Sequence, residues 1–432
     1  MNKILQYAIG PVGVGILSLA VVPILAWSYD EKAIAGYAII QALMAFSTLI
    51  LTFGVDQSFV REYFDSENKP QLFKNTAIVI FMPMVLVLLL LNIIFYKKIS
   101  FILFGVESQL ITILIMISFF LVVLNRLLSL IQRMENQALL FSLSQILPKF
   151  FFLIIILLPS FGLFSPSFQI LMFAYFFSIL MVNIYFILVN KSLILRSFKE
   201  ELSQKIIINL LRYGFPLLIS NFLFWGLRYL DRFYVKIFSS DYELALYTIA
   251  ISLAGGVAIF GSIFNTIWTP KAFLLHKNGK LNSHIINKMV VAVSLIGLLF
   301  VSIIFVLSPV LSLFFPQKYI SIIYLLPLLV LPTLFYTVAE VSGIGISITK
   351  NTTKMIYVSC ISLILHFILS ILLIVKLGAL GAAISIAVAF YFYLLLKTLF
   401  SAKVWSKSFS KLGLGINLIC LMYSLAIGFR WI

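Results

Sequence analysis

A lysine in the middle of a long apolar run is the first residue of this sequence that needs a chemical explanation. Lys149 lies about ten residues from each end of the run 139–159, which is roughly 15 Å of helix in either direction. A lysine side chain is too short to reach water over that distance, so its ammonium group needs a wet cavity or a partner inside the protein. In a cavity it could bind a phosphate group. The structural alternative is a lysine paired with the carbonyl groups of a neighbouring helix or with Glu340.

Two further ionisable residues, Glu340 and His366, lie in the middle of apolar runs in the second half of the sequence. The run around Glu340 has two prolines before that residue and two glycines after it, and interrupted helices often line transport sites. Both side chains could take up and release a proton during a transport cycle, so we predict that they couple transport to an ion. The alternatives are a neutral, hydrogen-bonded glutamate, a permanent partner for Lys149, and a buried structural histidine.

Polar residues repeat at helical spacing in two other apolar runs. The first stripe consists of Gln41, Thr48, Thr52 and Asp56, and the second of Asn221, Trp225, Arg228 and Arg232. Because a one-sided polar face inside a membrane should turn towards the protein interior, we predict that these stripes line a substrate cavity together with Lys149. For the two arginines the alternative is anchoring at the membrane interface, with Asp231 as an ion-pair partner. Asp56 and Arg61 are predicted to gate the cavity.

The elements that must position these residues are membrane-spanning helices. Of the 432 residues, 62% are apolar and 10% are charged, against ~45–50% and ~25% in soluble domains. Helices that cross a bilayer core of ~30 Å need about 20 apolar residues, and such runs lie at 4–26, 33–53, 77–96, 110–131, 139–159, 168–189, 210–230, 244–264, 286–308, 322–348, 356–375 and 379–400. A weaker candidate covers 412–430. The predicted fold is therefore an all-α integral membrane protein with about twelve, or thirteen, transmembrane helices.

The excess of basic residues sets the predicted orientation. The formal net charge is +17, and with a cytoplasmic N-terminus 20 lysines and arginines fall in cytoplasmic segments and 9 in external ones. This bias is the one that the positive-inside rule requires. We therefore predict a multi-pass membrane protein whose N-terminus is cytoplasmic, and attraction of the same charges to anionic lipids contributes to the bias.

The sequence lacks motifs for cofactors, metals and nucleic acids. It contains no phosphate-cradling glycine loop, no zinc-ligand cluster and no nucleophile elbow, and its two cysteines, Cys360 and Cys420, lie in apolar runs. We therefore predict no cofactor, no metal, no nucleic-acid partner and no use of ATP. Short external connections also disfavour a membrane-embedded polysaccharide polymerase, so we predict that the protein is not an enzyme.

Traces of an internal repeat suggest two similar halves. Leu5–Ala8 followed by Pro11 parallels Leu211–Gly214 followed by Pro216. Six spans in each half would give both halves the same orientation, as in many secondary transporters with a substrate path between the halves. We predict an N-terminal six-helix lobe over 1–200, a C-terminal six-helix lobe over 201–405 around a central cavity, and an apolar segment over 406–432 that could add a helix.

Several short segments, in this order, resemble motifs of the polysaccharide flippases, the Wzx-type O-antigen transporters related to multidrug and toxin extrusion transporters. GVDQSFVREY at 54–63 is similar to that family's Gly-x-Asp-x-Ala-x-x-Arg-x-Tyr segment, with Ser58 at the alanine position. Further similar segments are RMENQA at 133–138, YGFP at 213–216, DRF at 231–233, Tyr247, WTP at 268–270 and GALGAA at 378–383. The resemblance extends from about residue 5 to residue 400.

The resemblance implies a two-lobed bundle that moves undecaprenyl-pyrophosphate-linked oligosaccharide by alternating access. The implied cargo is an O-antigen or capsule repeat unit, carried from the cytoplasmic to the periplasmic face of the bacterial inner membrane. The implied partners are this lipid-linked oligosaccharide, membrane lipids, a polysaccharide polymerase and a chain-length regulator. A multidrug or cation antiporter of the same fold is the alternative, and it would favour acidic residues in the cavity, where the sequence places only Glu340 at mid-membrane. A scaffold without transport would not need Lys149 there.

Overall fold

The computed structural model describes residues 3–349, 351–405 and 410–431, and these residues form helices and connections without strands. Lys350 and Lys407, two charges counted for the predicted orientation, and 406–409 in the predicted C-terminal segment lie outside the described residues. The helices are α1 (Lys3–Ser28), α2 (Glu31–Ile50), α3 (Val55–Glu62), α4 (Lys69–Phe104), α5 (Gln109–Met134), α6 (Ala138–Leu157), α7 (Phe168–Val189), α8 (Lys191–Phe198), α9 (Gln204–Phe238), α10 (Asp241–Lys277), α11 (Ser283–Ser312), α12 (Ile322–Ser342), α13 (Ile344–Ile348), α14 (Thr352–Val404) and α15 (Lys411–Gly428).

Twelve helices in the described part of the chain are long and apolar enough to cross a membrane, which confirms the predicted fold class. The predicted runs 356–375 and 379–400 both lie in α14, which breaks at Gly378 with a φ of 53° and a ψ of −127°. Glycine adopts such a conformation readily because it has no Cβ. On each side of the break 26 residues remain, or about 39 Å of helix, so each part is long enough to span. The weaker candidate 412–430 also forms a helix, α15.

Polar side chains cap several helices, as exposed backbone groups in an apolar environment require. Among the side chains that accept a hydrogen bond of 2.7–3.3 Å from the backbone N–H three residues later are those of Asp30, Ser108, Ser240 and Asn282. At the break in α14, Oε2 of Glu243 accepts a hydrogen bond of 2.7 Å from the backbone N–H of Ala379. These contacts fix where α2, α5, α10, α11 and the second part of α14 begin.

The second predicted span ends earlier than the polar pattern suggests. α2 ends at Ile50, and left-handed backbone at Phe53 and Gly54 (φ of 53° and 69°) redirects the chain before α3 begins. The prediction of one continuous polar face from Gln41 to Asp56 is therefore wrong, because Thr52 lies in this turn and Asp56 lies on a different helix. The predicted span ends at residue 53, and only the regular spacing of the polar residues extended the predicted face past Gly54, where the backbone in fact turns.

The chain divides into two compact units. The first comprises residues 1–17 and 28–225, and the second comprises 18–27 and 226–432. In the first unit α5 packs against α4, α6 and α7, and a buried apolar cluster that includes Phe59, Leu128 and Phe186 forms the core. In the second unit α12 is almost wholly buried and packs against α10, α11, α14 and α15. Because α12 is surrounded in this way, it carries Glu340 into the interior of its unit.

Candidate functional site

The first unit contains a cavity of about 380 Å³ whose lining residues come from α1, α2, α5, α6 and α7. Two basic side chains, Arg126 and Lys149, line it together with uncharged polar groups and aromatic rings. The polar and aromatic lining residues are Tyr37, Thr48, Asn125, Ser129, Ser144, Gln145, Phe152, Tyr175 and Ser178. We call this site the Lys149 cavity.

Lys149 reaches this cavity from the middle of α6, beside Pro148, which also lines it. Its Nζ lies 6.0 Å from the centroid of the Phe152 ring. Within the described parts of the chain no carboxylate forms an ion pair with this ammonium group. Lys149 therefore presents to the cavity a positive charge that no described side chain neutralises.

Arg126, the second cation of the cavity, is held by an ion pair. Its Nη2 and Nε lie 3.0 and 3.2 Å from Oδ2 of Asp56 on α3, and the amide of Gln57 donates to the same oxygen at 2.8 Å. The prediction that Asp56 and Arg61 together gate the cavity remains untested, but the ion-pair partner of Asp56 is Arg126. From the sequence, Arg126 counts only as a charge that sets the orientation. Its position inside the apolar run 110–131 is the signal that would identify it.

Aromatic side chains form part of the cavity wall. The rings of Tyr37 and Phe152 stack with their centroids 5.2 Å apart and an angle of 14° between their planes. The Tyr175 ring lies edge-on to Phe152, with the centroids 6.4 Å apart. Flat apolar faces beside hydroxyl and amide groups can contact both the faces and the hydroxyls of a sugar.

The two predicted polar stripes only partly reach the Lys149 cavity. Thr48 lines it, whereas Gln41 and Thr52 are not among its lining residues in the described chain. From α9, the side chains of Asn221 and Trp225 donate hydrogen bonds of 3.3 and 2.9 Å to backbone carbonyl oxygens of Leu49 and Ala42. The indole of Trp225 is buried, so its contacts hold α9 against α2 in this unit.

Three segments that carry the family resemblance meet in the first unit, namely 54–63, 133–138 and 213–216. The hydroxyl of Tyr63 donates to Oε1 of Glu135 at 3.4 Å. Burial and the neighbouring carboxylate raise the pKa of Tyr63 to about 12, so the hydroxyl keeps its proton at neutral pH. The glycine that opens the first segment lies backbone to backbone against the glycine of the third.

The second unit contains a buried ion pair between Glu340 on α12 and Lys397 on α14. Nζ of Lys397 lies 2.5 Å from Oε1 of Glu340, and the two side chains are 1% and 24% exposed. The same Nζ lies 5.8 and 5.5 Å from the ring centroids of Tyr336 and Tyr393. The guanidinium of Arg228 lies 5.9 Å from the centroid of the Tyr336 ring. Arg228, a predicted cavity residue, and Glu340, a predicted coupling residue, thus belong to a single cluster around Tyr336.

The ion-pair partner of Glu340 is Lys397 and not Lys149, the partner that the sequence allows as an alternative. The sequence alone counts Lys397 as a cytoplasmic loop charge, although it lies within the apolar run 379–400. In the structure its ammonium group is enclosed and bound to a carboxylate. Glu340 is therefore not an isolated acid available to a substrate cation.

Asp231 is a second buried acid of this unit, which the sequence places outside the membrane core. It is fully buried and accepts hydrogen bonds from the Tyr247 hydroxyl and, at 2.8 Å, from the backbone N–H of Arg232. The Arg232 guanidinium lies 4.8 Å from the Tyr229 ring centroid. Its Nε and Nη1 have no hydrogen-bond partner among the described residues. The side chain of Asp231 thus contacts the backbone of Arg232 and does not form the side-chain ion pair that the sequence left open as an alternative.

His366 lies on α14 and is fully buried. Neither ring nitrogen has a hydrogen-bond partner in the part of the chain that the structure describes, and the same holds for the hydroxyls of Ser362 and Ser370. These three residues recur every four positions, so they form one buried polar face of the helix. The predicted coupling role of His366 and its structural alternative both remain untested.

Groups that could hold a metal are not found among the described residues, where no three His, Cys, Asp or Glu side chains cluster suitably. Cys360 and Cys420 are free thiols. The lining of the Lys149 cavity offers charged groups, hydrogen-bonding groups and aromatic surfaces.

Known proteins provide matches in both sequence and fold. The model of a family described as polysaccharide biosynthesis protein matches residues 1–270. The lipid II flippase MurJ in an inward closed conformation has a similar fold, with a TM-score of 0.72 and 17% identity over 99% of this chain and 96% of that one. An inward-facing structure of a multidrug resistance MATE family transporter of the MOP superfamily has a TM-score of 0.63 and 14% identity over 93% of this chain and 98% of that one. No curated protein sequence matches this chain.

Proposed function

The chain belongs to the polysaccharide biosynthesis protein family, and we propose that it is a flippase for lipid-linked oligosaccharide. The specific cargo that we propose is an undecaprenyl-pyrophosphate-linked repeat unit of O-antigen or capsule. The protein would move this unit from the cytoplasmic to the periplasmic face of the bacterial inner membrane by alternating access. A lipid II flippase with the same fold supports a lipid-linked cargo. The family and the fold both favour a transporter over an enzyme.

The observation that carries this proposal is the unneutralised ammonium group of Lys149 in a cavity within apolar helices. A pyrophosphate diester carries negative charge at neutral pH and has several acceptor oxygens, so an ammonium and a guanidinium group are suitable partners. Arg126 uses two of its nitrogens on Asp56 and has five N–H donors in total, so donors remain for a ligand. The stacked rings of Tyr37 and Phe152 offer a surface for the first sugars.

We further propose that transport is coupled to an ion through Glu340 and Lys397, with His366 as a second coupling group. Protonation of Glu340 would leave the buried ammonium of Lys397 without its counter-charge, which is costly in a low-dielectric interior. The cluster would therefore favour a different packing of α12 and α14 when its charge changes. An ion pair between two packed helices, with its lysine enclosed, is suited to such a switch.

An antiporter for cationic drugs is the less well supported alternative. The Lys149 cavity is lined by two basic residues and by no acidic residue of the described chain. Cationic substrates would be repelled by Lys149, whose charge has no partner. In the second unit the carboxylate of Glu340 is already bound by Lys397.

The proposed orientation can be tested with single cysteines in a chain whose Cys360 and Cys420 have been replaced by alanine. Lys271 and Lys318 are exposed, and the predicted topology puts the former in the cytoplasm and the latter outside. An impermeant maleimide added to intact spheroplasts should label Lys318→Cys and should spare Lys271→Cys. Labelling in the opposite sense would reverse the proposed direction of transport. Co-purification with a polysaccharide polymerase and a chain-length regulator would test the implied partners.

Transport itself is tested in cells that make a surface polysaccharide. Loss of this protein should leave lipid-linked repeat units on the cytoplasmic leaflet, and Lys149→Ala should lower transport about tenfold, because removal of one charge-assisted contact costs about 1.5 kcal/mol or more. Lys149→Arg should retain most of the activity, and Lys280→Ala, a change at an exposed lysine, should have no effect. The flippase proposal fails if repeat units still reach the periplasm in cells that lack every flippase of this type. Full transport by Lys149→Ala would instead remove only the role of this lysine.

A further inference from the structure

A second cleft of the first unit, of about 480 Å³, is lined only by polar residues of α3 and α9. They are Arg61, Glu62, Asn209, Arg212 and Tyr213. Neither arginine forms an ion pair with a carboxylate anywhere in the described chain. We call this site the arginine cleft, and it shares no lining residue with the Lys149 cavity.

The geometry of the arginine cleft is fixed by contacts between its two helices. The guanidinium carbon of Arg61 lies 4.5 Å from the centroid of the Tyr213 ring, a stacking arrangement that orients the cation. Ser58 of α3 donates a hydrogen bond of 2.7 Å to a backbone carbonyl of α9. The helix backbones also approach closely, since a Cβ on Gly214 would lie 3.0 Å from the carbonyl carbon of Gly54. A ligand would therefore meet a preorganised site.

Large apolar side chains stand exposed directly beside the cleft residues in the sequence. Phe64 is 69% exposed, and Leu211 and Phe215 are 39% and 60% exposed. In a chain with membrane-spanning helices, such side chains are suited to contact with acyl chains, and arginines without an ion-pair partner are suited to contact with head groups. The arginine cleft thus combines positive charge with neighbouring exposed apolar side chains, which a phospholipid could contact with its phosphate and its acyl chains.

We propose that the arginine cleft binds the phosphodiester of a membrane phospholipid whose head group carries a hydrogen-bond donor. Two guanidinium groups and one carboxylate leave one net positive charge, which matches the single negative charge of a phosphodiester better than the charge of a pyrophosphate. Guanidinium groups bind phosphate oxygens with two parallel hydrogen bonds. The carboxylate of Glu62 then accepts from a hydroxyl or ammonium group of the lipid head. This assignment does not depend on the flippase proposal.

Native mass spectrometry of the purified full chain with added phosphatidylglycerol, phosphatidylethanolamine or phosphatidylcholine tests the site. We expect the first two lipids to be retained about fivefold more than phosphatidylcholine, whose quaternary ammonium has no N–H to donate. Arg61→Gln and Arg212→Gln should each weaken phosphatidylglycerol binding about tenfold, the effect of one charge-assisted hydrogen bond. Arg196→Gln, at an exposed arginine of α8, is the matched control and should change nothing. Glu62→Gln should reduce the discrimination against phosphatidylcholine.

Two results would overturn the assignment. One is equal binding of the three lipids, or unchanged binding in both arginine variants, while all variants keep the melting temperature of the parent protein. The other is tighter binding of an isoprenyl pyrophosphate than of phosphatidylglycerol, lost in the same arginine variants, because the cleft would then lie on the path of the transported lipid. Arg61 and Arg212 are exposed, so their replacement strands no buried partner and should not prevent folding.

Discussion

Lys149 and Lys397 both lie inside predicted apolar spans, and their surroundings differ. Lys149, in the first unit, lines a cavity and has no ion-pair partner among the described residues. Lys397, in the second unit, is 1% exposed and bound to Glu340 at 2.5 Å. The first charge is available to a ligand, whereas the second already has its counter-charge. A basic residue inside a predicted span therefore indicates a binding site only where the fold leaves space beside it and no carboxylate within reach.

The same difference predicts opposite consequences for stability and transport. Removal of one partner from a buried ion pair leaves an uncompensated charge in the interior and is strongly destabilising. Removal of Lys149 leaves no described carboxylate without its partner, so it should weaken ligand binding and leave the stability of the fold unchanged. Stability measurements can therefore distinguish the two lysines without any transport assay.

The largest expected effect is that of Glu340→Ala, which leaves the ammonium of Lys397 buried without a partner. We expect the free energy of unfolding to fall by about 3 kcal/mol, measured by denaturant unfolding of the purified protein in detergent. Lys149→Met is the matched control and should change stability by less than about 0.5 kcal/mol. The double variant Glu340→Ala/Lys397→Met should regain most of the loss. If Glu340→Ala proved as stable as the parent protein, the ion pair would not stabilise the fold, and the proposed difference between Lys149 and Lys397 would be wrong.

Sequence patterns located the helices and Lys149 but not the partners of the charges. Apolar run length predicts spans well because the bilayer fixes the number of residues that a helix needs. The roles of Arg126 and Lys397 could not be predicted, because their partners lie far away along the chain. Asp56 is 70 residues from Arg126, and Glu340 is 57 residues from Lys397. Both residues were therefore counted as cytoplasmic loop charges, although each lies inside an apolar run.

Helical periodicity also failed where the backbone turns. The spacing of polar residues from Gln41 to Asp56 fits one helix face, but the left-handed conformation at Gly54 ends that face. A glycine inside a periodic pattern is compatible with a helix and with a turn. The close approach of Gly54 to Gly214 depends on tertiary packing, which one sequence does not encode locally.

An intermediate effect is expected for Asp56→Asn, which converts Arg126 from a paired to an unpaired cation like Lys149. Because Arg126 keeps 30% of its side chain exposed, solvent screening should limit the loss of stability to about 1 kcal/mol. The affinity of the Lys149 cavity for an isoprenyl pyrophosphate should rise about threefold, as measured by titration of the purified protein. Asp65→Asn, at an exposed aspartate, is the control. An unchanged affinity would mean that Lys149 alone supplies the cationic contact, which would sharpen the contrast between the two units.

The smallest effect on stability is expected for His366→Leu in the second unit. Neither imidazole nitrogen has a partner in the described chain, so an apolar side chain of similar size removes an unsatisfied polar group and should leave stability equal or up to about 1 kcal/mol higher. If His366 is a coupling group, as proposed, the variant should transport with a flatter pH profile, because leucine cannot take up and release a proton. Ser370→Ala, on the same buried face, should leave that profile unchanged. A parental pH profile in His366→Leu would leave Glu340 and Lys397 as the only proposed coupling residues, and the partnered lysine of the second unit would then carry the whole functional contrast with Lys149.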